Sequence, residues 1–238
     1  MTVPISTRTY PTGVIIPLYT YPTDPTWNRV VQARTVHPSV PIIAIINPSS
    51  GPGTAIDSNF ISGIKKLQTA GVIVLGYVYT RYAARSIATV KTDVDSYKNW
   101  YNVDGINFDE MTNTAGHEVY YSSLSEYTKS KGMKMTVGNP GTSTLTSYID
   151  TVDNLSIYES GGLPTIAMLS SRTSYSEYPK SKFSVIAYGV NLLDTNFVAH
   201  ASIYVGYLYI TDNILPNPYD ALPAYFNNLV AALDTRGG

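Results

Sequence analysis

Residues 41–46, Pro41-Ile42-Ile43-Ala44-Ile45-Ile46, are apolar at every position. A strand with one face in water alternates apolar and polar residues, whereas a strand of a parallel sheet is covered on both faces and stays apolar along its length. This stretch therefore predicts one strand of a parallel sheet, with other elements packed on both of its faces.

Short apolar runs rich in Val, Ile and Tyr recur along the rest of the chain, and a segment with helical spacing follows each run. The predicted strands are residues 13–19, 41–47, 71–80, 105–110, 134–139, 154–159, 182–189 and 206–211. The predicted helices are residues 26–37, 57–70, 86–101, 116–131, 145–150, 164–170, 192–203 and 219–233. Strands and helices that alternate in this way form βαβ units.

Eight strand–helix pairs within 238 residues match the size of a (β/α)8 barrel, which has about 250 residues. The alternative is a doubly wound open sheet, but no Gly-x-Gly-x-x-Gly motif follows any predicted strand. No linker, charge run or longer repeat divides the chain. The sequence therefore predicts an α/β protein with a single domain, a (β/α)8 TIM barrel over residues 1–238.

Composition excludes several classes of partner. The formal net charge is -1, so the chain lacks the basic surface with which proteins bind nucleic acid or anionic membranes. No run approaches the ~20 apolar residues of a membrane-spanning helix. The chain has no Cys, which excludes disulfides and thiolate metal sites, and its three His share no ligand spacing. We therefore expect a monomer with no cofactor, no metal, and no nucleic-acid or membrane partner.

The surface of this protein takes its polarity from neutral side chains. Only 14% of the residues are charged, whereas there are 21 Tyr. A Tyr ring has an apolar face and a hydroxyl, which suits stacking on sugars, although Tyr is also a good strand former. Low charge with abundant Ser, Thr and Tyr resembles many exported enzymes. We expect an extracellular or cell-surface location, although residues 1–8 do not have the pattern of a signal peptide.

Acidic residues end two of the predicted strands. Asp109 and Glu110 close the fourth strand, in Asp104-Gly105-Ile106-Asn107-Phe108-Asp109-Glu110, and Glu159 closes the sixth. The carboxyl ends of barrel strands meet at one rim, where active sites lie. Carboxylates that meet repel one another and lose hydration, so a folded chain seldom brings them together without a use. Glycoside hydrolysis needs one acid and one anion, and we therefore predict that all three residues are catalytic.

The direction of these side chains follows from the alternation along each strand. Asp109 has the opposite parity to apolar Phe108, so it is predicted to face the barrel mouth. Glu159 shares its parity with apolar Leu155 and Ile157. It therefore points inward only if the strand has ended or carries a bulge before it.

The same rim is predicted to carry polar and aromatic side chains suited to sugar hydroxyls and sugar rings. The residues predicted to bind substrate are Tyr19, Asn47, Tyr79, Arg81, Asn139, Tyr188, Tyr209 and Asp212. Two other interpretations of the acids stay open. They form an ordinary solvated pair, or they hold a divalent cation, although no third acid or His lies close to them in sequence. The Gly-x-Ser-x-Gly motif of esterases is absent.

Four segments in order resemble the spherulin-4 family, also called glycoside hydrolase family 135. They are residues 13–19, 45–53, 76–82 and 104–110, the last containing the Asp-Gly-Ile-Asn-Phe-Asp-Glu motif. The resemblance implies a (β/α)8 barrel that hydrolyses α-1,4-linked N-acetylgalactosamine within the chains of galactosaminogalactan, an exopolysaccharide of fungal walls and biofilms, with retention of configuration. The functional acids of the family match Asp109, Glu110 and Glu159.

Several assignments of role are compatible with these residues. Our first assignment makes Asp109 the nucleophile or charge stabiliser and Glu159 the general acid and base, while Glu110 raises the pKa of a neighbour or holds a sugar hydroxyl. The three roles permute without contradicting the sequence, and assistance by the acetamido group of the substrate stays open. Two other functions also stay open: a non-catalytic glycan-binding wall or spore-coat protein, and a glycosidase for another amino-sugar polymer.

Overall fold

Eight parallel strands form one sheet in chain order in the computed structural model, which describes residues 11–170 and 177–234. The strands are β1 (Val14–Leu18), β2 (Ile42–Ile46), β3 (Ile73–Tyr79), β4 (Gly105–Asp109), β5 (Met135–Gly138), β6 (Asn154–Gly161), β7 (Phe183–Tyr188) and β8 (Tyr207–Ile210). A parallel bridge between Gly13 and Tyr207 joins the last strand to the first. The sheet therefore closes, and the predicted (β/α)8 barrel is confirmed.

Helices connect the strands on the outside of the barrel. They are α1 (Pro25–Val36), α2 (Ser58–Thr69), α3 (Ile87–Ser96), α4 (Glu118–Ser130), α5 (Ile166–Ser170), α6 (Thr195–Ala201) and α7 (Phe226–Leu233). At the start of four of these helices, the side chain of the preceding residue accepts a hydrogen bond from a backbone N–H group of the first turn. The capping residues are Asp24, Asp57, Ser86 and Asp194. Such caps define where each helix leaves the loop at the carboxyl end of a strand. The first and last residues of the predicted domain, 1–10 and 235–238, lie outside the described residues.

The apolar stretch that predicted the sheet is β2, and all five of its residues are buried. It pairs with β1 and β3 in parallel register, with Ile43 opposite Ile15 and Ile73. One face of the strand is covered by helices and the other by the side chains that fill the barrel. Continuous hydrophobicity is therefore what the position of this strand requires.

Three predicted helices differ from those observed. The predicted helix over residues 145–150 is a 3-10 helix, Thr146–Thr151. The helix predicted over residues 86–101 changes to a π-helical turn at Tyr97–Tyr101. The last helix begins at Phe226 instead of at Tyr219, because the chain passes through a long loop after β8 that includes Pro223. This last correction moves Tyr219 from a helix into the rim of the barrel.

The π-helical turn packs directly on β3 at a glycine. A Cβ atom added to Gly76 would lie 2.5 Å from the ring of Tyr97, which is closer than real Cβ atoms approach. Only Gly therefore allows this fully buried ring to reach the strand. Within residues 11–170 and 177–234, no helix is long and apolar enough to cross a membrane.

Candidate active site

A cavity of about 90 Å³ lies inside the barrel at the carboxyl ends of the strands. Its walls combine aliphatic, aromatic, amide, hydroxyl and carboxyl groups. The residues that line it are Ile15, Pro17, Tyr19, Ile45, Tyr77, Asn107, Asp109, Val137, Asn139, Ser156, Glu159, Ser184, Ile186 and Tyr219. Four of these, Tyr19, Asp109, Asn139 and Glu159, belong to the set predicted from the sequence.

Asp109 and Glu159 lie close together at this cavity, joined through Asn139. The Nδ2 atom of Asn139 donates a hydrogen bond to Oδ1 of Asp109 at 2.9 Å and another to Oε2 of Glu159. Because one nitrogen atom contacts both oxygens, and each hydrogen bond spans about 3 Å or less, the two carboxylate oxygens lie within about 6 Å of each other. The Oδ1 atom of Asn139 accepts from the backbone of Gly141, which holds the amide in this orientation.

Glu159 faces the cavity because β6 carries an extra residue. The register of β6 against β7 shifts between Ser156 and Tyr158, so Ile157 has no partner in the ladder. A bulge of this kind reverses the side to which the following side chains point. Past the bulge, Glu159 pairs with Ile186, and both residues line the cavity. Without the bulge, Glu159 would point to the same side as Leu155. It points inward because the bulge reverses the alternation before it.

Each of the two carboxylates also accepts a hydrogen bond from a tyrosine. The hydroxyl of Tyr219 donates to Oε1 of Glu159, and the hydroxyl of Tyr77 contacts Asp109. Tyr19 lies between these rings and meets both edge to face, with centroid distances of 5.8 Å to Tyr77 and 5.6 Å to Tyr219. Burial and the nearby carboxylates raise the pKa of Tyr77 and of Tyr219, so both hydroxyls keep their protons and remain donors.

The carboxyl group of Asp109 has an unusual acidity. Burial is the largest cause and the charge of Glu159 the second, and together with a smaller effect of Glu110 they raise its pKa to about 6. The hydrogen bond from Tyr77 acts in the opposite direction, because it stabilises the anion. A carboxyl group with a pKa near 6 can carry a proton under mildly acidic conditions and release it to a leaving group.

Glu110, the third predicted catalytic acid, does not line the cavity. Its backbone is left-handed, with φ of 50°, and its carbonyl oxygen accepts hydrogen bonds from the Thr80 hydroxyl and the Tyr82 amide. Its side chain is half-buried and still raises the pKa of Asp109. The structure therefore places Glu110 within electrostatic reach of the cavity, outside its wall.

Three of the residues predicted to bind sugar lie at the end of β3 or in the loops after β2 and β3, away from the cavity wall. Asn47 uses its Oδ1 atom to accept from the backbone of Gly51, which is a turn contact. The guanidinium group of Arg85 covers the ring of Tyr79, at 4.1 Å from its centroid. Arg81 is exposed. In this structure none of the three touches the cavity.

The remaining predicted sugar-binding residues belong to β7, β8 and the loop after β8. Tyr188 is half-buried and pairs with Gly161 at the end of β6. Asp212 is half-buried and accepts from the backbone of Ala224 at 3.4 Å. Tyr209 is fully buried, and this is a correction: a side chain with no exposed surface that does not line the cavity cannot contact a sugar in this arrangement.

The predicted set omits five polar residues of the cavity. Tyr77 shares its parity with Tyr79 on β3, so its inward direction could have been found by the reasoning applied to Asp109. Asn107 likewise alternates with the apolar residues of β4. Ser156 and Ser184 look like ordinary strand residues in the sequence. Tyr219 has no local signal at all, since its partner Glu159 is 60 residues away.

The described residues contain no group of three or more His, Asp or Glu that could hold a metal ion. The chemistry available at the cavity is instead that of a carboxyl pair, one of them with a raised pKa, held by an amide and two phenols. This is the arrangement by which protein carboxyls transfer protons to and from a sugar oxygen.

Comparison with known proteins gives relatives with the same fold. Spherulin-4 of Physarum polycephalum is 32% identical over 242 residues, which cover 96% of this chain and 72% of the relative. The crystal structure of Aspergillus clavatus Sph3 in complex with N-acetylgalactosamine (GalNAc) has a TM-score of 0.81 at 25% identity, over 94% of this chain and 98% of that one. A chitinase of Rhizomucor miehei, with a TM-score of 0.57 and 10% identity over 93% and 99% of the two chains, shares the fold alone.

The structural neighbours thus place the chain on a fold that glycoside hydrolases use. The sequence model of Spherulation-specific family 4 matches residues 13–233, which includes all eight strands and the whole cavity. The chain belongs to the Spherulin-4 family.

Proposed function

We propose that this protein is an endo-acting glycoside hydrolase that cleaves α-1,4-linked GalNAc polysaccharide with retention of configuration. The observation that carries the proposal is the pair Asp109 and Glu159, which accept hydrogen bonds from the same Asn139 nitrogen at the wall of a cavity in the barrel mouth. A cavity with two adjacent carboxyls, one of raised pKa, matches the requirement of glycosidic bond cleavage.

The separation of the two carboxyls favours retention. Retaining enzymes hold their carboxyls about 5–5.5 Å apart, whereas inverting enzymes leave about 6.5–9.5 Å for a water molecule. The shared donor keeps Oδ1 of Asp109 and Oε2 of Glu159 within about 6 Å. The Nδ2 atom of Asn139 occupies the space between these two oxygens, so no water lies directly between them.

The electrostatics of the site favour a different division of roles from the one assigned first from the sequence. Asp109 has the raised pKa, which suits the acid that protonates the leaving oxygen and later activates water. Each acid accepts from Asn139 and from one tyrosine, so the donors do not distinguish the two, and the raised pKa of Asp109 is what divides the roles. We therefore assign Asp109 as the acid and base and Glu159 as the nucleophile. Burial and the charge of Glu159 are the main causes of the raised pKa of Asp109, and Glu110 adds a smaller effect by charge repulsion.

The substrate assignment follows from the relative that resembles this chain over nearly its whole length. Sph3 was crystallised in complex with GalNAc, and 94% of this chain superimposes on it. A polymer of this sugar is too large to enter cells, which agrees with the extracellular or cell-surface location expected from composition.

The test is to incubate the protein with galactosaminogalactan, chitin, chitosan and an α-glucan, and to measure product size and the anomer formed first. We expect shortened oligosaccharides from galactosaminogalactan alone, with the α-anomer appearing first. Asp109→Asn and Glu159→Gln should each lower turnover by at least about 100-fold. Glu126→Gln, a carboxyl-to-amide change at an exposed position of α4, is the matched control and should have no effect.

Other outcomes would identify the alternatives. Cleavage of chitosan or chitin instead of galactosaminogalactan would make this a glycosidase for another amino-sugar polymer. Binding of polymer without release of reducing ends, unchanged in Asp109→Asn and Glu159→Gln, would show a non-catalytic glycan-binding protein.

A further inference from the structure

Two buried serine hydroxyls lie side by side in the cavity without a hydrogen-bond partner among the described residues. Ser156 on β6 is 2% exposed, Ser184 on β7 is fully buried, and the two are directly paired in the register of these strands. Both line the cavity, and the Oγ atoms of both have no partner.

A buried hydroxyl without a partner is costly, and proteins usually satisfy it. The same chain does so elsewhere: the buried hydroxyl of Ser125 in α4 is 2.8 Å from that of Thr136 in β5. Two neighbouring exceptions that line one cavity point to a polar group that binds there from outside the chain.

Ser156 lies deeper along β6 than Glu159, with Ser184 beside it on β7. Ser156 precedes Glu159 on β6, on the near side of the bulge, and follows Leu155, which pairs with Gly138. Ser156 is thus beside Asn139, the residue that holds both carboxylates. The serines therefore form part of a recess that continues below the proposed cleavage point.

The recess also has an aliphatic wall, beside the buried amide of Asn107. Ile15, Ile45, Val137 and Ile186 line the same cavity, and each is at most 3% exposed. Barrel interiors are normally filled by side chains, so small residues such as Ser leave the space that exists here. The recess combines the two serine hydroxyls with aliphatic groups, and the whole cavity of about 90 Å³, of which the recess is a part, has room for several water molecules.

We infer that this recess binds the acetamido group of the sugar at the cleavage point, with Ser156 and Ser184 contacting its polar atoms. Hydroxyls both donate and accept, so they can pair with the carbonyl oxygen and the N–H group of an amide. The methyl group packs against the aliphatic wall, and the pyranose ring lies above, beside Asp109 and Glu159. The inference rests on the proposed function and adds to it the residues that select acetylated sugars.

A sugar without the acetyl group would leave the recess poorly filled. A free amine at the same carbon carries a positive charge, which is costly beside aliphatic side chains. A hydroxyl is too short to reach both serines and the aliphatic wall. We therefore expect the two serines to set the preference between acetylated and deacetylated sugars, while the carboxyls perform the cleavage.

The experiment measures binding of GalNAc, galactosamine and galactose by calorimetry to the wild type and to the double variant Ser156→Ala/Ser184→Ala. We expect the wild type to bind GalNAc at least about tenfold more tightly than the other two sugars, and the double variant to lose that preference. The double variant should have a melting temperature no lower than the wild type, because it removes buried hydroxyls that have no partner.

Ser125→Ala is the matched control. It also removes a buried serine hydroxyl, but one that is bonded to Thr136 and lies outside the cavity, so it should lower the melting temperature and leave sugar preference unchanged. The inference is overturned if the double variant keeps the preference for GalNAc, or if the wild type binds galactose as tightly as GalNAc or binds no GalNAc. The proposed function fails separately, if none of the polymers is cleaved although GalNAc binds.

Discussion

Asp109 and Glu159 share a single hydrogen-bond donor, the Nδ2 atom of Asn139. The two acids are 50 residues apart in sequence and belong to strands that are not neighbours, since β5 lies between them. Asn139 follows β5 and is therefore the residue placed to reach both. One amide thus sets the spacing of the pair, and across it the charge of Glu159 helps to raise the pKa of Asp109.

Asn139→Ala should disable the enzyme without changing the acids. The variant removes the donor that sets the distance between Asp109 and Glu159, so we expect the turnover number to fall by about 100-fold or more. Steady-state kinetics on galactosaminogalactan measures this loss. The same substitution at the exposed Asn228 of α7 is the control, and it should leave turnover unchanged. Activity of Asn139→Ala within about threefold of wild type would contradict the positioning role.

The pH dependence of activity should report the proton on Asp109. Its pKa is raised to about 6, so the acid form is lost as the pH rises through that value and kcat/KM should fall there. Glu110→Gln removes a negative charge that contributes to this raised pKa, so the falling limb should move to lower pH. A profile measured from pH 4 to 8 for both proteins tests the assignment. A falling limb that does not move in Glu110→Gln would show that Glu110 does not influence the pKa of Asp109.

Asp109 should also reduce stability at neutral pH. Its pKa is about 6 when folded and 3.8 in the reference state, so between these values the folded protein binds more protons than the unfolded chain. The contribution of Asp109 to the free energy of unfolding should therefore be most favourable below about pH 4 and fall by up to about 3 kcal/mol as the pH rises through 6.

The amide of the Asp109→Asn variant cannot ionise, so the variant should not lose this free energy of unfolding as the pH rises. We expect the variant to be inactive yet more stable than the wild type by about 1–3 kcal/mol above pH 6, with the difference shrinking towards pH 4. Urea unfolding at pH 4, 5, 6 and 7 measures it. A difference between the two proteins that is the same at every pH would contradict the raised pKa.

Tyr219→Phe tests the residue that the sequence did not reveal. The variant keeps the ring that contacts Tyr19 but removes the hydroxyl that donates to Glu159. We expect turnover to fall by about 10–100-fold with little change in melting temperature. Tyr127→Phe is the control, because it removes a hydroxyl bonded to Asp95 at 2.8 Å and away from the cavity, and it should not affect turnover. Equal activities of the two variants would remove Tyr219 from the site.

Local pattern was sufficient for the barrel. The apolar run at Ile42–Ile46 and its counterparts predicted all eight strands in order, because burial on both faces leaves a signal in each strand separately. Asp104, which precedes β4 at the opposite end from Asp109, makes structural contacts: its Oδ2 atom accepts from the backbone of Val74 and from Gln68.

The site could be predicted only where a strand was regular. Parity placed Asp109 at the mouth of the barrel, and it now lines the cavity. Tyr209 was predicted from its position at the rim alone, and it is fully buried. A position at the end of a strand predicts that a side chain lies near the cavity. Whether that side chain is exposed to the cavity depends on the loops that cover the rim. Arg81 and Asn47 show the same limit, since both belong to loops with their own turn contacts.

The sequence by itself determined the order of strands, the barrel, and the rim at which the acids lie, since each of these follows from hydrophobicity and alternation over a few residues. Only the tertiary structure decided that Glu159 turns inward at Ile157, that Asn139 bonds to both acids, and that Tyr219 reaches Glu159 from the loop after β8. These contacts join segments that are distant in sequence, and their geometry depends on the closed barrel. The pattern of residues in a short stretch of chain therefore does not predict them.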